Sequence, residues 1–261
     1  MYAFPYVTDA HERLWQAIAS RLRQFGVADV PAHLSLEVDH LASWRDPALL
    51  LGQACEYPLL RSFGAYLRAV ATPCYTAPGC TGSHYRSAII VRADDPARTL
   101  ADVRGGRCAV NDMESNSGMN LLRAALAPLA AAKAYFAAVV VSGSHKHSAA
   151  MVADGAADVA ALDCVTFAHL TRSEPTLTSR LRVLDWTPSS PALPLVTARG
   201  TSETTLAALR AALAGAIADP ALASTREQLF LAGFDYLPDA QLSITRKLER
   251  QASVLGYPVL E

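Results

Sequence analysis

The sequence lacks an excess of charge of either sign, and it lacks clusters of basic residues. Its 23 Lys and Arg nearly balance its 24 Asp and Glu, the formal net charge of the 261 residues is −1, and no basic run exceeds two residues. Affinity for the phosphate backbone of a nucleic acid requires clustered Lys and Arg. The composition therefore argues against a nucleic-acid partner.

Long hydrophobic runs are also missing. The longest apolar stretches, such as 124–132, contain proline or are much shorter than the ~20 residues that a membrane-spanning helix needs. The first residues contain neither the basic nor the apolar segment of a secretory signal. We therefore expect no direct membrane insertion and, from the sequence as it stands, a cytoplasmic location.

The chain has no regular cysteine spacing and no clustered metal ligands. An odd number of irregularly spaced cysteines does not suit a disulfide framework or a zinc site. His145 and His147 are two residues apart, so on a helix they point to different faces. We expect reduced cysteines, no metal site and no cofactor. The five cysteines are Cys55, Cys74, Cys80, Cys108 and Cys164.

Segments with helical and strand-like hydrophobic periodicity alternate along the chain, which is typical of an α/β protein. The predicted helices cover 9–25, 46–53, 144–154, 202–217, 224–232 and 239–255, with another directly after Gly118. The predicted strands cover 34–38, 65–72, 88–91, 108–110, 136–141, 159–162, 181–184 and 195–197.

Polar residues follow three successive strands, at the point where each strand ends. In open α/β sheets, ligands bind at the carboxyl ends of the strands, and helix N-termini there attract anions. Each residue also has a structural reading, in which Ser117 caps a helix, His145 is structural, and Asp163 caps a helix or pairs with a cation. The candidates are Ser115, Asn116, Ser117, Gly118, Ser144, His145 and Asp163.

Serine, histidine and aspartate at neighbouring strand ends raise the possibility of a hydrolase. However, the sequence has no G-x-S-x-G nucleophile turn, no phosphate-binding G-x-x-x-x-G-K-[ST] loop and no G-x-G-x-x-G after a strand. We therefore predict a non-enzymatic protein with no catalytic residues. Two alternatives stay open, an enzyme acting on a small anionic substrate and a cytoplasmic ligand sensor.

Several of these segments together resemble a known family. Residues 85–92 and 99–105 resemble the hinge strand and the following segment of type 2 periplasmic binding proteins. Residues 114–118, 143–145 and 155–163 occur in an order similar to the substrate-binding proteins of phosphate, phosphite and phosphonate ABC transporters. The resemblance extends over nearly the whole chain.

The resemblance implies a two-lobed type 2 periplasmic-binding-protein fold that holds a small oxyanion in an interlobe cleft without chemistry. It also implies a periplasmic location and an ABC transporter permease as partner. Polar breaks at 94–96 and 188–194 lie beside strands that could connect two lobes. The predicted lobes are 1–92 plus 189–261, and 93–188.

By the same resemblance, the hydroxyls of the 115–117 loop and the imidazole of His145 bind the oxygens of the ligand. Asp163 is implied to meet a protonated oxygen or an amino group, and Tyr57 and Tyr85 to wall the ligand. Ordinary half-buried tyrosines are the alternative for that pair. Asn116 stands where the phosphonate binders usually carry Thr or Ser, so the implied ligand is a small oxyanion rather than a phosphonate specifically.

Overall fold

The structure, a computed structural model, describes residues 2–35, 39–130, 133–237 and 243–261. It is a mixed α/β protein, as the sequence predicts. The helices are α1 (Thr8–Gln24), α2 (His40–Ser43), α3 (Glu56–Pro58), α4 (Leu121–Ala130), α5 (His145–Ala153), α6 (Cys164–Ser173), α7 (Pro175–Thr178), α8 (Glu203–Ala218), α9 (Ala223–Gln228) and α10 (Ile244–Val254). The strands are β1 (Gly52–Gln53), β2 (Leu67–Tyr75), β3 (His84–Tyr85), β4 (Ser87–Arg92), β5 (Arg107–Val110), β6 (Ala138–Val141), β7 (Val159–Asp163), β8 (Leu181–Trp186), β9 (Ser190–Pro191), β10 (Leu195–Ala198) and β11 (Leu231–Asp235).

The chain folds into two compact units, each assembled from separate segments. Unit 1 consists of Met1–Thr76, Thr81–Ser83 and Ala192–Pro238, and unit 2 of Ala77–Cys80, His84–Pro191 and Asp239–Glu261.

Unit 1 is built on an antiparallel sheet in the order β1-β10-β2-β11. Its main core forms where α1 and α8 pack together with β2. Trp15, Ile18 and Leu22 recur at helical spacing along one face of α1, and they are buried in the same cluster as Leu209 and Leu213 of α8.

Unit 2 contains a five-stranded mixed sheet in the order β6-β5-β7-β4-β8. Strands β6, β5 and β7 are parallel neighbours, whereas β4 runs antiparallel to both β7 and β8. Strand β4 is buried along its whole length except at Arg92, which explains its continuous apolar sequence.

The three parallel strands determine where polar groups gather. Their carboxyl ends lie at one edge of the sheet, and each strand is followed by a helix that begins at that edge: α4 after β5, α5 after β6 and α6 after β7. Because β4 is antiparallel, its first residue, Ser87, lies at the same edge, opposite Asp163. We call this edge the polar edge of unit 2.

Four segments of the predicted first lobe belong to unit 2 instead, namely 77–80, 84–92, 189–191 and 239–261. The predicted first lobe includes β4, but this strand hydrogen-bonds on both sides within the sheet of unit 2. It also includes the C-terminal helix α10, which packs against α4 in unit 2. Strand pairing and helix packing between distant segments place β4 and α10 in unit 2. A polar break in the local sequence gives no information about such contacts.

Two predicted helices are wrong in whole or in part. Residues 46–53 form no helix, because the Leu49 carbonyl accepts hydrogen bonds from Ala198 N and Thr197 Oγ1 of β10 instead. The helix predicted over 224–232 ends at Gln228, and Phe230 has a φ of 53°, which breaks the helix before β11. Positions 36–38 of the predicted strand 34–38, and 239–242 of the last predicted helix, lie outside the described residues.

Among the described residues, no single helix has the length and apolar composition needed to cross a membrane. One bent pair, Glu203–Ala218 with Pro220–Gln228, meets both criteria jointly across a 73° bend.

Candidate functional site

The polar edge of unit 2 holds the beginnings of three helices, each with a side chain that caps it. The Ser115 Oγ accepts from Gly118 N at 3.1 Å at the turn Asn116–Asn120, which leads into α4. The Ser144 Oγ accepts from His147 N at 3.1 Å at the start of α5. The Asp163 Oδ1 accepts from Thr166 N at 2.9 Å at the start of α6. The positive ends of three helix dipoles therefore converge on one edge.

A chain of three side chains links the first two of these helix starts. The Ser117 Oγ lies 2.9 Å from the His145 Nε2 and 3.4 Å from the Ser115 Oγ. Both serines are buried. Neither Lys nor Arg is among the described hydrogen-bond partners of these three residues. This group, called the Ser–His cluster below, offers neutral donors rather than a cation.

Burial decides the charge state of the imidazole. It lowers the pKa of His145 from its ordinary value to about 4, and the backbone of Ala161 only partly opposes the shift. The histidine is therefore neutral at pH 7. An anion that came within reach of Nε2 would favour the imidazolium and raise the pKa again.

Gly118 allows the loop to approach the end of β5 closely. A Cβ built on Gly118 would lie 1.8 Å from the Asn111 Oδ1, so any larger residue would collide with that side chain. The same Cβ would lie 3.3 Å from the His145 Cε1. The glycine thus lets the Ser117 hydroxyl come within hydrogen-bond distance of His145.

Asn116 points into the interior instead of joining the Ser–His cluster. Its Nδ2 donates to the Tyr85 OH at 3.1 Å and to the Ser190 Oγ at 3.0 Å, and its Oδ1 accepts from the Asn120 Nδ2 at 2.9 Å. The Ser190 Oγ continues the network to the Thr245 Oγ1 at 3.0 Å. Asn116 is fully buried and Tyr85 almost so. The pair therefore tie the 115–118 loop to β3, β9 and α10.

Ser87 also positions the loop, although sequence reasoning missed it. The Ser87 Oγ donates to the Ser117 carbonyl at 2.9 Å, and Ser87 lies opposite Asp163 in the pairing of β4 with β7. Ser87 thereby connects the Ser–His cluster to the strand end that carries Asp163. The only signal in the sequence is a small polar residue at the start of an apolar strand.

Tyr57 belongs to unit 1, unlike the other eight candidate residues. Its side chain is fully buried, its OH accepts from the Arg61 guanidinium at 2.7 Å, and that guanidinium lies 5.1 Å from the ring centroid. Its role as a wall of the ligand site stays a prediction.

The Ser117–His145 pair has the separation of a nucleophile and its base, but it lacks a third group. A hydrolytic triad needs a carboxylate that orients the imidazole. No described carboxylate lies within hydrogen-bond distance of His145. Among the residues that the structure describes, no group of three or more His, Cys, Asp or Glu side chains is placed to hold a metal ion.

Comparison with known proteins identifies the family of this chain. Residues 57–242 match the model of the ABC transporter, phosphonate, periplasmic substrate-binding protein family. The chain belongs to this family. No curated protein matches it. The family consists of periplasmic substrate-binding components of ABC transporters. The matched range contains all nine candidate residues, with Tyr57 at its first position.

Solved structures confirm the two-lobed type 2 periplasmic-binding-protein fold. PhnD1 from Prochlorococcus marinus, in complex with methylphosphonate, has a TM-score of 0.71 at 17% identity, over 94% of each chain. A binding protein component of an ABC phosphonate transporter from Pseudomonas aeruginosa has a TM-score of 0.70 at 19% identity, over 93% of this chain and 82% of that one. A Xanthomonas citri protein bound to ATP has a TM-score of 0.68 at 19% identity, over 95% of each chain.

Proposed function

We propose that this protein binds a small tetrahedral oxyanion, of the phosphonate or phosphate type, without converting it chemically. In this proposal it acts in the periplasm as the substrate-binding component of an ABC importer and delivers the anion to a permease. Membership of the family supports the transport role. The observation that carries the ligand class is the Ser–His cluster, in which Ser117 and His145 come from two different helix starts.

The chemistry of the polar edge suits an anion. Hydroxyls of Ser115 and Ser117, the His145 Nε2 and backbone N–H groups at the start of α4 and α5 supply donors within a small volume. Hydrogen bonds to a charged acceptor contribute about 1.5–3 kcal/mol each, so a few of them hold a phosphonate without a Lys or Arg. The helix dipoles add to the attraction.

The remaining candidates take different roles in this proposal. Gly118 admits the ligand close to the backbone, and Ser144 fixes the start of the helix that carries His145. Asp163 selects a ligand with a proton or an amine at that end, because it would repel a fully ionised phosphate. Asn116 positions the loop through its amide, which is engaged in the interior. The role of Tyr85 as a wall of the ligand site stays a prediction.

A thermal-shift experiment with four ligands tests the ligand class. The ligands are methylphosphonate, inorganic phosphate, phosphite and ATP, the last because a structural relative is bound to it. A ligand at 100 times its dissociation constant stabilises the native state by about 2.7 kcal/mol. For a chain of this length we expect the melting temperature to rise by about 5–10 °C.

The outcomes separate the readings. A rise with methylphosphonate, phosphate or phosphite supports the proposal, and a rise with ATP alone would point to a nucleotide as the ligand. If none of the four ligands raises the melting temperature at millimolar concentration, the proposed ligand class is wrong. Phosphorus NMR on the same samples checks for conversion, and a ligand that is consumed would favour the enzyme alternative.

A further inference from the structure

Two of the five free cysteines lie in contact, although 84 residues separate them in the chain. The Cys80 Sγ is 3.3 Å from the Cys164 Sγ, and both residues belong to unit 2. A disulfide requires an S–S distance of about 2 Å and well-placed Cβ atoms. The two sulfurs therefore need to move together by little more than about 1 Å.

The backbone on both sides holds this contact in place. Cys80 N donates to the Ala77 carbonyl at 3.0 Å in a tight turn, and Cys164 N donates to the Arg86 carbonyl at 3.2 Å at the start of α6. Between them, Gly79 has a φ of 96° and packs so closely that an added Cβ would lie 3.1 Å from the Cys164 Cβ and 2.5 Å from the Trp186 ring. Only glycine fits there, and it brings the turn directly against Cys164.

The two thiols also differ in accessibility, as an exchanging pair requires. Cys80 is partly exposed, whereas Cys164 is buried beneath it. Burial raises the pKa of Cys74 to about 11 and that of Cys108 to about 12, and the contact with Cys80, together with burial, raises the pKa of the Cys164 thiol well above its usual range. Thiol exchange proceeds through a thiolate, so these three thiols are poor starting points, and the partly exposed Cys80 is the member of the pair that begins the exchange.

We propose that Cys80 and Cys164 are a redox pair, which closes to an intrachain disulfide by exchange with a small-molecule disulfide such as oxidised glutathione. The Cys80 thiolate attacks one sulfur of glutathione disulfide and expels one glutathione thiolate. Cys164, on losing its proton, then attacks the Cys80 Sγ and expels the second glutathione. Two protein thiols are oxidised, one glutathione disulfide is reduced to two thiols, and the two cysteine protons go to glutathione.

The closed pair would fasten the turn before β3 to the first residue of α6. Cys164 directly follows Asp163, the cap of that helix at the polar edge. The proposal itself does not depend on the ligand or on transport, since it uses only the two thiols and their surroundings.

Counting thiols by mass spectrometry tests the pair. The fully reduced protein is incubated with oxidised glutathione, quenched with acid, unfolded and alkylated. We expect five alkylated cysteines before the incubation and three afterwards, with one peptide pair joined through Cys80 and Cys164. The Cys74→Ser variant is the matched control, and it should go from four alkylated cysteines to two.

Single variants at the pair complete the test. Cys80→Ser should keep its remaining four thiols, and Cys164→Ser should stop at a glutathione adduct on Cys80. Identification of the disulfide-linked peptides in the unmodified protein decides the question even if a variant folds poorly. The proposal is wrong if the unmodified protein keeps five alkylatable cysteines, if the bond joins another pair, or if Cys80→Ser still loses two thiols.

Discussion

At the residue scale, the neutral state of His145 is the property that most affects both stability and binding. The Ser117 Oγ lies within hydrogen-bond distance of the His145 Nε2, and burial disfavours the imidazolium. When the chain unfolds, the histidine returns to its ordinary pKa and takes up a proton at mildly acidic pH. Stability is therefore linked to pH through this residue.

We expect the protein to lose stability as the pH falls from about 6.5 to 4. In that window the unfolded chain binds the proton of His145 and the folded chain does not, so the free energy of unfolding decreases by up to about 3 kcal/mol. Urea unfolding of the wild type and of His145→Asn at several pH values measures the effect. The variant should lose less stability over the window.

The slope of the free energy of unfolding against pH is compared between the two proteins, which separates the contribution of His145 from that of other groups. Burial also lowers the pKa of His11 in unit 1, and this residue contributes in the same direction in both proteins. Equal slopes for the wild type and His145→Asn would show that His145 is not held neutral by the fold.

The starts of α4 and α5 are predictable from the sequence, but the orientation of the side chains around them is not. Small polar residues before a helix indicate both starts, because capping is a local property. The cap at the first start is Ser115, however, and not Ser117 as the pattern suggests. The same pattern placed Asn116 in the site, whereas its amide bonds to Tyr85 and Ser190, which are 31 and 74 residues away in the chain. Contacts over such separations leave no local trace in a single sequence.

At the element scale, Asp163 has two roles to distinguish, as the cap of α6 and as a ligand group. The cap needs only an oxygen acceptor for Thr166 N, which both aspartate and asparagine supply. The ligand role proposed above needs the negative charge. Substitutions at this one position therefore separate the two roles.

Asp163→Asn should leave the free energy of unfolding nearly unchanged, while Asp163→Ala should lower it by about 1 kcal/mol through loss of the cap. If the carboxylate faces the ligand, Asp163→Asn should also bind phosphate more tightly relative to methylphosphonate than the wild type does. Chemical unfolding and calorimetric titration of the three proteins measure both effects. Unchanged ligand preference in Asp163→Asn would mean that the residue is a helix cap alone.

The elements that were predicted wrongly share a physical cause. The apolar run around Leu229 and Leu231 suits a helix or a strand equally well, and the positive φ of Phe230 decides between them. At 46–53, the bonds that β10 makes to the Leu49 carbonyl replace the ones that a helix would form. In both segments, tertiary contacts prevail over local preference.

At the scale of the whole molecule, two α/β units and their family were predictable, and the paths between the units were not. The order of motifs from 85 to 163 carries the family resemblance, and the family model confirms it. The crossings near 76–84 and 191–192, and the return of the C-terminal helix to unit 2, depend on pairing of β4 and packing of α10. Neither the pairing of β4 nor the packing of α10 changes the amino-acid composition where the chain passes from one unit to the other.

The central claim is that hydroxyl and imidazole donors of the Ser–His cluster hold the anion. Loss of one charge-assisted hydrogen bond costs about 1.5–3 kcal/mol, which corresponds to a tenfold or greater loss of affinity. The matched controls are His147→Ala, an exposed residue on the same helix as His145, and Ser253→Ala, an exposed serine on α10.

Isothermal titration calorimetry with methylphosphonate and with phosphate at pH 7 is the most direct measurement. For the better-bound ligand of the two, Ser117→Ala and His145→Ala should each raise the dissociation constant at least tenfold. Their melting temperatures without ligand should stay within a few degrees of the wild type, and the two controls should bind like the wild type. Unchanged affinity in both Ser117→Ala and His145→Ala would contradict the account.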